Sequence, residues 1–255
     1  VVAILLGKNP MTLFAGLGAT SAVLMLVFKD TITGLAAGVR LTSNDMLHKG
    51  DWITVKSVDA NGIVEDMSLT TVKVRNFDNT IVTISPITLV NGSFQNWIGM
   101  QKSGGRRVKR VVYFDFRSVR LVDETLKRNL LAKHFATEDS FKLKESLQKA
   151  IDKDIQEGKD IEDLKNPAAL APTNLQLYRK FMEKYLRQRP EVNTDLTLMV
   201  RHMEATQCGL PIEFYFFIKD KVWVNYEHIL ADIMEHAYAL ANEFGLKIYE
   251  QYPEQ

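Results

Sequence analysis

From Asn9 to Phe28 the chain reads NPMTLFAGLGATSAVLMLVF, twenty residues without a charge, closed at once by Lys29-Asp30. At about 1.5 Å per residue a helix over this run is roughly 30 Å long, the thickness of a bilayer's hydrocarbon core. Ala15, Gly16, Gly18, Ala19 and Ala22 set small residues at i, i+3, i+4 and i+7. That spacing lets helix backbones approach closely in lipid, where packing has to supply the attraction. The run therefore predicts a membrane-spanning helix packed against copies of itself. On hydropathy alone two other readings stay open. One is a buried helix of a soluble protein, since Gly16 and Gly18 weaken the hydrophobicity. The other is a signal peptide, although the run follows a second apolar stretch, Val1 to Gly7, and precedes no A-x-A cleavage site. That first stretch, with no initiator methionine before it, predicts further membrane helices upstream.

Composition narrows the rest. The 32 basic and 31 acidic residues leave a formal charge of +1, which does not suit a dedicated nucleic-acid binder. With 46% apolar and 25% charged residues, most of the chain has globular composition, and only about the first forty residues look membrane-bound. The single cysteine, Cys208, excludes an internal disulfide and a cysteine-based zinc cluster.

Along the chain, Asn9 suits an N-cap and Pro10 the first helical position. A break is expected at Lys29-Asp30, because a charged pair between two apolar runs is costly in lipid unless it lies at the interface. A second, short amphipathic helix then carries Ile32, Leu35, Ala36 and Val39 on one face. Lys29, Arg40, His48 and Lys49 put this end in the cytoplasm by the positive-inside tendency. From Asp51 to Thr83 the period shortens to that of strands, with turns expected at Asp59-Ala60-Asn61-Gly62 and Asp78-Asn79. Four or five short strands in so little chain suggest a small β-barrel, because closure removes exposed edges. Leu89 to Trp97 reads as one helical turn and a strand.

Gly104-Gly105 followed by Arg106, Arg107, Lys109 and Arg110 marks the next boundary, as a solvated linker in preference to a nucleic-acid patch. A strand over Val108 to Phe116 is followed by a helix over Ser118 to Lys133. Another helix is expected near Phe141 to Ile155, and one capped by Asn174 runs to about Gln188. Strands at Thr194 to Met203 and Ile212 to Ile218, a helix from Asn225 to Phe244 stopped by Gly245, and a strand at Leu246 to Tyr249 complete the chain. The order β-α-(insert)-β-β-α-β is that of a ferredoxin-like α+β domain.

No catalytic constellation emerges. His48, His134, His202, His228 and His236 are scattered, and the eight-residue spacing of His228 and His236 is too long for one metal held from one helix. Gly16-Leu17-Gly18 lacks the preceding strand and third glycine of a dinucleotide fingerprint. Nothing places a base beside Cys208. Catalytic, metal-binding and cofactor-binding residues are all expected to be absent.

The run GLGATSAVLMLVFKDTITGLAAGV, then HKGDWITV and a β domain, resembles the pore helix, kinked continuation and β-domain entry of the small-conductance mechanosensitive (MscS-like) channel family. The length of the 134–193 segment, with the KGDW and QNW stretches, is most similar to the YbdG-type, or miniconductance, branch. The resemblance implies an α+β membrane protein in three parts. Residues 1–44 are a pore-lining transmembrane helix with a kinked interfacial helix. Residues 45–100 form a small SH3-like β-barrel. Residues 101–255 form a cytoplasmic ferredoxin-like α/β domain with an insertion at about 134–193. It implies a homoheptamer, multi-pass in a bacterial inner membrane, in contact with lipids. Membrane tension would open it during hypo-osmotic stress to release ions and small solutes. Ala15, Gly18, Ala19, Ala22 and Leu26 fall on the pore-facing or packed stripe, with Leu26 as the larger plug. Lys29, Asp30 and Gly34 fall at the kink and interface. Three residues depart from the family pattern: Ala22 stands where leucine is usual, Met25 where a small residue is usual, and Asp30 where glycine is usual. The alternative is a non-conducting membrane-anchored protein whose cytoplasmic domains bind partners.

Overall fold

The apolar run continues as a single helix, α1, from Pro10 to Ser43. The computed structural model of the chain describes residues 10–142 and 171–251, together with positions 149, 153 and 156. At 34 residues α1 is about 51 Å long, so it outlasts a bilayer core by roughly 20 Å. The expected break at Lys29-Asp30 is not there: both residues are helical, and the two predicted helices are one. The physical reason is that a charged pair marks where lipid should end but does nothing to the backbone ladder. Neither residue lacks an N–H, as proline does, or has the backbone freedom of glycine at a kink. The stretch Val1 to Gly7 and the cap at Asn9 lie outside the described residues.

The chain divides into two compact units, Val1–Lys102 and Ser103–Gln255. In the first, α1 leads to strands β1 (Trp52–Val55), β2 (Ala60–Met67), β3 (Val72–Asn76) and β4 (Ile81–Ile84). Helix α2 (Pro86–Asn91), the two-residue strand β5 (Gln95–Asn96) and helix α3 (Ile98–Lys102) follow. The five strands form one antiparallel sheet in the order β4-β3-β2-β1-β5. Val64, Val72, Val74 and Ile84 from the sheet meet Leu41 of α1, Leu47 and Leu89 of α2 in one buried cluster.

The first hairpin turns earlier than expected. Lys56–Val58 form a 3-10 turn, Asp59 takes the left-handed φ of 52°, and Ala60 already pairs with Val55. Asn61 and Gly62 are therefore strand residues. Gly62 has another use: a Cβ there would lie 1.9 Å from the Arg75 carbonyl oxygen, so only glycine lets β3 pass at that distance. The second turn is as predicted, with Asn79 at φ 69° between β3 and β4.

In the second unit, strand β6 (Arg106–Phe114) is followed by helices α4 (Glu124–Ala132) and α5 (Asn174–Gln188). Strands β7 (Met199–His202) and β8 (Leu210–Ile218) and helix α6 (Trp223–Glu243) come next. The sheet order is β6-β8-β7, antiparallel throughout. The tail adds a single bridge from Ile248 to Phe114 on the free side of β6, in place of the expected strand. The sheet thus runs tail, first strand, third strand, second strand.

Phe114, Phe214 and Phe216 on the sheet meet Tyr178 and Met182 of α5 and Ile233 and Ala237 of α6 in the core. The Tyr178 hydroxyl donates to the Ala237 carbonyl at 2.6 Å, tying α5 to α6, and burial holds its pKa above the ordinary phenol value. Helix α4 starts later than its apolar spacing predicts, because the Asp123 side chain accepts from Leu126 N–H and caps it there. Leu121 meanwhile bridges to Thr173 in extended form. Asn174 is not the cap of α5. Thr173 fills that role, and Asn174, fully buried, accepts from Arg120 N–H and donates to the carbonyls of Ser118 and Phe244. Helix α5 is core, so the last part of the segment predicted as an insertion belongs to the domain itself. The helix expected near Phe141 to Ile155 lies largely outside the described residues. Gly245, at φ 67°, ends α6 as predicted.

The basic residues of β6 are separated by the pleat, since successive side chains face opposite sides of a sheet. The Arg106 guanidinium lies 4.3 Å from the centre of the Tyr226 ring, while Lys109 stands 3.7 Å from the buried carboxylate of Glu213. Arg201 also binds that carboxylate, at 2.5 Å.

Candidate functional site

The feature that sets this molecule apart is how little covers α1. Every residue from Phe14 to Thr33 is exposed in the single chain, including Phe14 at 72% and Leu26 at 73%. Among the described residues it is the one helix long and apolar enough to cross a membrane. An exposed apolar surface of this length needs lipid or another chain against it.

Helical geometry sorts its residues into two faces. At about 100° per residue, and taking Ala15 as zero, Gly18 lies at about −60°, Ala19 at +40°, Ala22 at −20° and Leu26 at +20°. Leu17, Leu24, Phe28 and Leu35 lie about 180–220° round, on the opposite side. Between Ala15 and Leu26 one face is thus small-residue with a single leucine, and the other is built of large apolar side chains. A Cβ added at Gly18 would meet nothing within 4 Å, so this face is open to a neighbour. Two hydroxyls in the run are already satisfied: Thr20 donates to the Gly16 carbonyl at 2.9 Å and Thr33 to the Lys29 carbonyl at 2.7 Å. They add no unpaired donor to an apolar setting.

Below the run the same helix is fastened to its own unit. Ala37 and Leu41 are buried, and a Cβ on Gly38 would lie 2.3 Å from the Leu69 carbonyl oxygen. Gly34, which the resemblance assigns to the kink and interface, lies within α1, where an added Cβ would find open space. Lys29 falls at about −40°, on the small-residue face, and Asp30 at about +60°, just past its edge.

The exit from α1 depends on residues whose part was not foreseen. Asp51, only 7% exposed, accepts from the backbone N–H of His48 at 3.1 Å and from the side-chain amide of Asn96 at 2.7 Å. The same amide donates to the Met46 carbonyl at 3.2 Å. Next to this knot Trp52 stacks on Trp97, centroids 4.7 Å apart, while their indole N–H groups donate to Asn61 and Thr54 respectively. The KGDW and QNW stretches are therefore one structure: each supplies a polar partner and a tryptophan to the junction of helix and sheet. The sequence signal was the repeated pairing of a polar residue with tryptophan, Asp51-Trp52 and Asn96-Trp97.

Among the described residues there is no group of three or more His, Cys, Asp or Glu side chains placed to hold a metal ion. Cys208 is exposed in the tight turn from Thr206 to Gly209.

Residues 30–99 match the family described as "Mechanosensitive ion channel, beta-domain". This stretch begins inside α1 and ends just past the Asn96–Asp51 knot. The likeness is to the MscS family. Over 90 residues the chain is 33% identical to the small-conductance mechanosensitive channel MscMJ of Methanocaldococcus jannaschii, covering 35% of this chain and 25% of that protein. Over 135 residues it is 30% identical to the large-conductance channel MscMJLR of the same organism, covering 52% of this chain and 37% of that one. The chain thus matches between a quarter and two fifths of the length of these relatives. In fold it superposes on the closed-state crystal structure of Helicobacter pylori MscS with a TM-score of 0.60 at 14% identity, over 98% of this chain and 74% of that one. Arabidopsis thaliana MSL1 gives 0.65 at 11% identity, over 98% and 69%.

Proposed function

We propose that this chain is the subunit of a channel opened by membrane tension, in which copies of α1 stand side by side with Ala15, Gly18, Ala19, Ala22 and Leu26 toward the pore. The observation that carries this reading is the direct continuation of a bare, two-faced apolar helix into a β-domain of the mechanosensitive-channel kind. Tension favours the state that occupies more membrane area, so the helices have to tilt and slide without losing contact, and small residues permit that. Leu26 then forms the tightest apolar ring, which blocks ions by dewetting and needs no charged filter.

The finer parts of the reading follow the same likeness. The assembly is a homoheptamer, multi-pass in a bacterial inner membrane, with both folded units in the cytoplasm and release of ions and small solutes on hypo-osmotic shock. The five-stranded sheet of the first unit is an SH3-like barrel. The tail-first-third-second order of the second unit supports a ferredoxin-like fold. The KGDW and QNW stretches favour the YbdG-type miniconductance branch. The test is to reconstitute the protein in lipid patches and apply suction. Stepwise currents that grow with tension are expected. A folded, assembled protein that stays silent up to the lytic limit would favour a membrane-anchored scaffold.

A further inference from the structure

We infer that the cavity between the end of α4 and one side of α5 binds a small phosphate monoester carrying a short apolar or aromatic group. Its walls belong entirely to the second unit. Helix α4 ends at Ala132, and His134 turns the chain back with a left-handed φ of 58°. Such a φ is uncommon in a residue with a side chain and is kept only where the surroundings fix it. Here the amides of Phe135 and Ala136 both donate to the Leu130 carbonyl, at 2.9 and 3.3 Å, and the Phe135 ring meets Phe181 edge to face with centroids 5.2 Å apart. The chain then closes a short 3-10 turn, Glu138–Phe141, held by the Thr137 N–H donating to Ser140 Oγ at 3.1 Å. Facing this wall, Leu177, Lys180, Phe181 and Lys184 recur at three- and four-residue spacing along one side of α5. The space between holds about 140 Å³.

The floor of this cavity is apolar. Leu177 is 2% exposed, and Phe135 and Phe181 are half-buried. A cavity of about 150 Å³ lined by such side chains accommodates benzene. The rim, by contrast, is cationic. Lys180 and Lys184 are one turn apart and exposed, and no described residue pairs with either. The nearby carboxylates are engaged elsewhere: Glu138 with Lys127 at 3.9 Å, Asp139 with Lys142 at 2.6 Å, and Glu183 with the Val200 N–H at 3.0 Å. Two like charges one turn apart repel. An anion seated between them replaces that repulsion with two attractions, and a phosphate dianion matches the pair in charge. The hydroxyls of Thr137 and Ser140, 3.2 Å apart, bond to each other and leave one proton to donate to a phosphate oxygen. Free phosphate would leave the floor empty, and an uncharged apolar ligand would leave the lysines unmatched.

The experiment is isothermal titration of phenyl phosphate into the full chain in detergent micelles. One site per chain is expected, with a dissociation constant of about 1 mM or tighter. Inorganic phosphate and phenol should each bind roughly tenfold more weakly or worse, because each meets only half of the site. Lys180→Gln and Lys184→Gln should each weaken phenyl phosphate about threefold to fivefold, as expected for exposed charges, and the double variant about tenfold or more. Both lysines are exposed, so these variants keep the fold, which circular dichroism checks. Lys73→Gln, on an exposed strand position of the first unit, should leave the affinity unchanged. Absence of saturable heat up to about 10 mM phenyl phosphate overturns the inference. So does an affinity unchanged in the double variant, which would put the binding elsewhere, or one lowered as much by Lys73→Gln. Inorganic phosphate binding as tightly as phenyl phosphate also overturns it, because the apolar floor would then take no part. None of these readouts is a current, so failure here and failure of the channel reading are distinguishable.

Discussion

Replacing Asp51 by alanine removes the acceptor that joins the end of α1 to the sheet. The carboxylate is 7% exposed and takes two hydrogen bonds, from His48 N–H at 3.1 Å and from Asn96 Nδ2 at 2.7 Å. Bonds to a charged acceptor contribute roughly 1.5–3 kcal/mol each, and a buried donor left unpaired adds a desolvation cost. Asn96 keeps its second acceptor, the Met46 carbonyl at 3.2 Å, and water reaches the half-exposed His48, so the net loss is about 2–3 kcal/mol. The chain has three tryptophans, two of them, Trp52 and Trp97, stacked in this sheet. In a Trp223→Phe background their emission reports the first unit alone. With a urea slope of about 1.5 kcal/mol per molar, the midpoint for Asp51→Ala should fall by roughly 1.5–2 M. Asp51→Asn keeps one acceptor oxygen and should lose about half as much. Lys73→Ala, at an exposed strand position, is the control. A midpoint for Asp51→Ala indistinguishable from that of Lys73→Ala would refute the assignment of Asp51 as the fastening point.

Gly62→Ala sets a Cβ 1.9 Å from the Arg75 carbonyl and should cost about 1–3 kcal/mol in the same urea assay. Gly99→Ala, where nothing lies within 4 Å, should be neutral or slightly stabilising; equal effects at the two sites would contradict the close-approach argument. Tyr178→Phe should lower the stability of the second unit by about 1 kcal/mol at neutral pH through loss of the bond to Ala237. Burial raises the Tyr178 pKa in the folded state, so its contribution is intact below the unfolded value of about 10 and is lost as pH rises from there toward the native one. Alkaline unfolding curves should accordingly be flatter in Tyr178→Phe, and identical slopes above pH ~10 would count against a protonated, buried hydroxyl.

Regular elements with strong local signals could be read from the sequence, and features made by distant partners could not. Helix α6 declares both its apolar stripe and its Gly245 stop, and β8 its apolar run. The Asn61-Gly62 pair looks like a turn because both residues tolerate left-handed φ, yet the reason for Gly62 is a strand thirteen residues away. Asn174 looks like a cap for the same local reason, while its four partners include a carbonyl 70 residues distant. The Lys29-Asp30 pair shows the opposite error, a chemical boundary read as a backbone boundary. For the candidate site, the small-residue face of α1 is visible as a spacing, whereas its fastening through Gly38, Asp51 and Asn96 is not. Those contacts join residues 31 to 45 apart in sequence.

Patch recordings of Leu26→Ser beside the unmodified protein test the central proposal most directly. Leu26 is the one large side chain among the five residues assigned to the pore face of α1, and a hydroxyl in its place lets water into an apolar ring. The account predicts tension-evoked channels in both proteins, with Leu26→Ser opening at lower tension and altered conductance. Threshold and conductance equal to the unmodified protein would contradict the placement of Leu26 at the closed constriction.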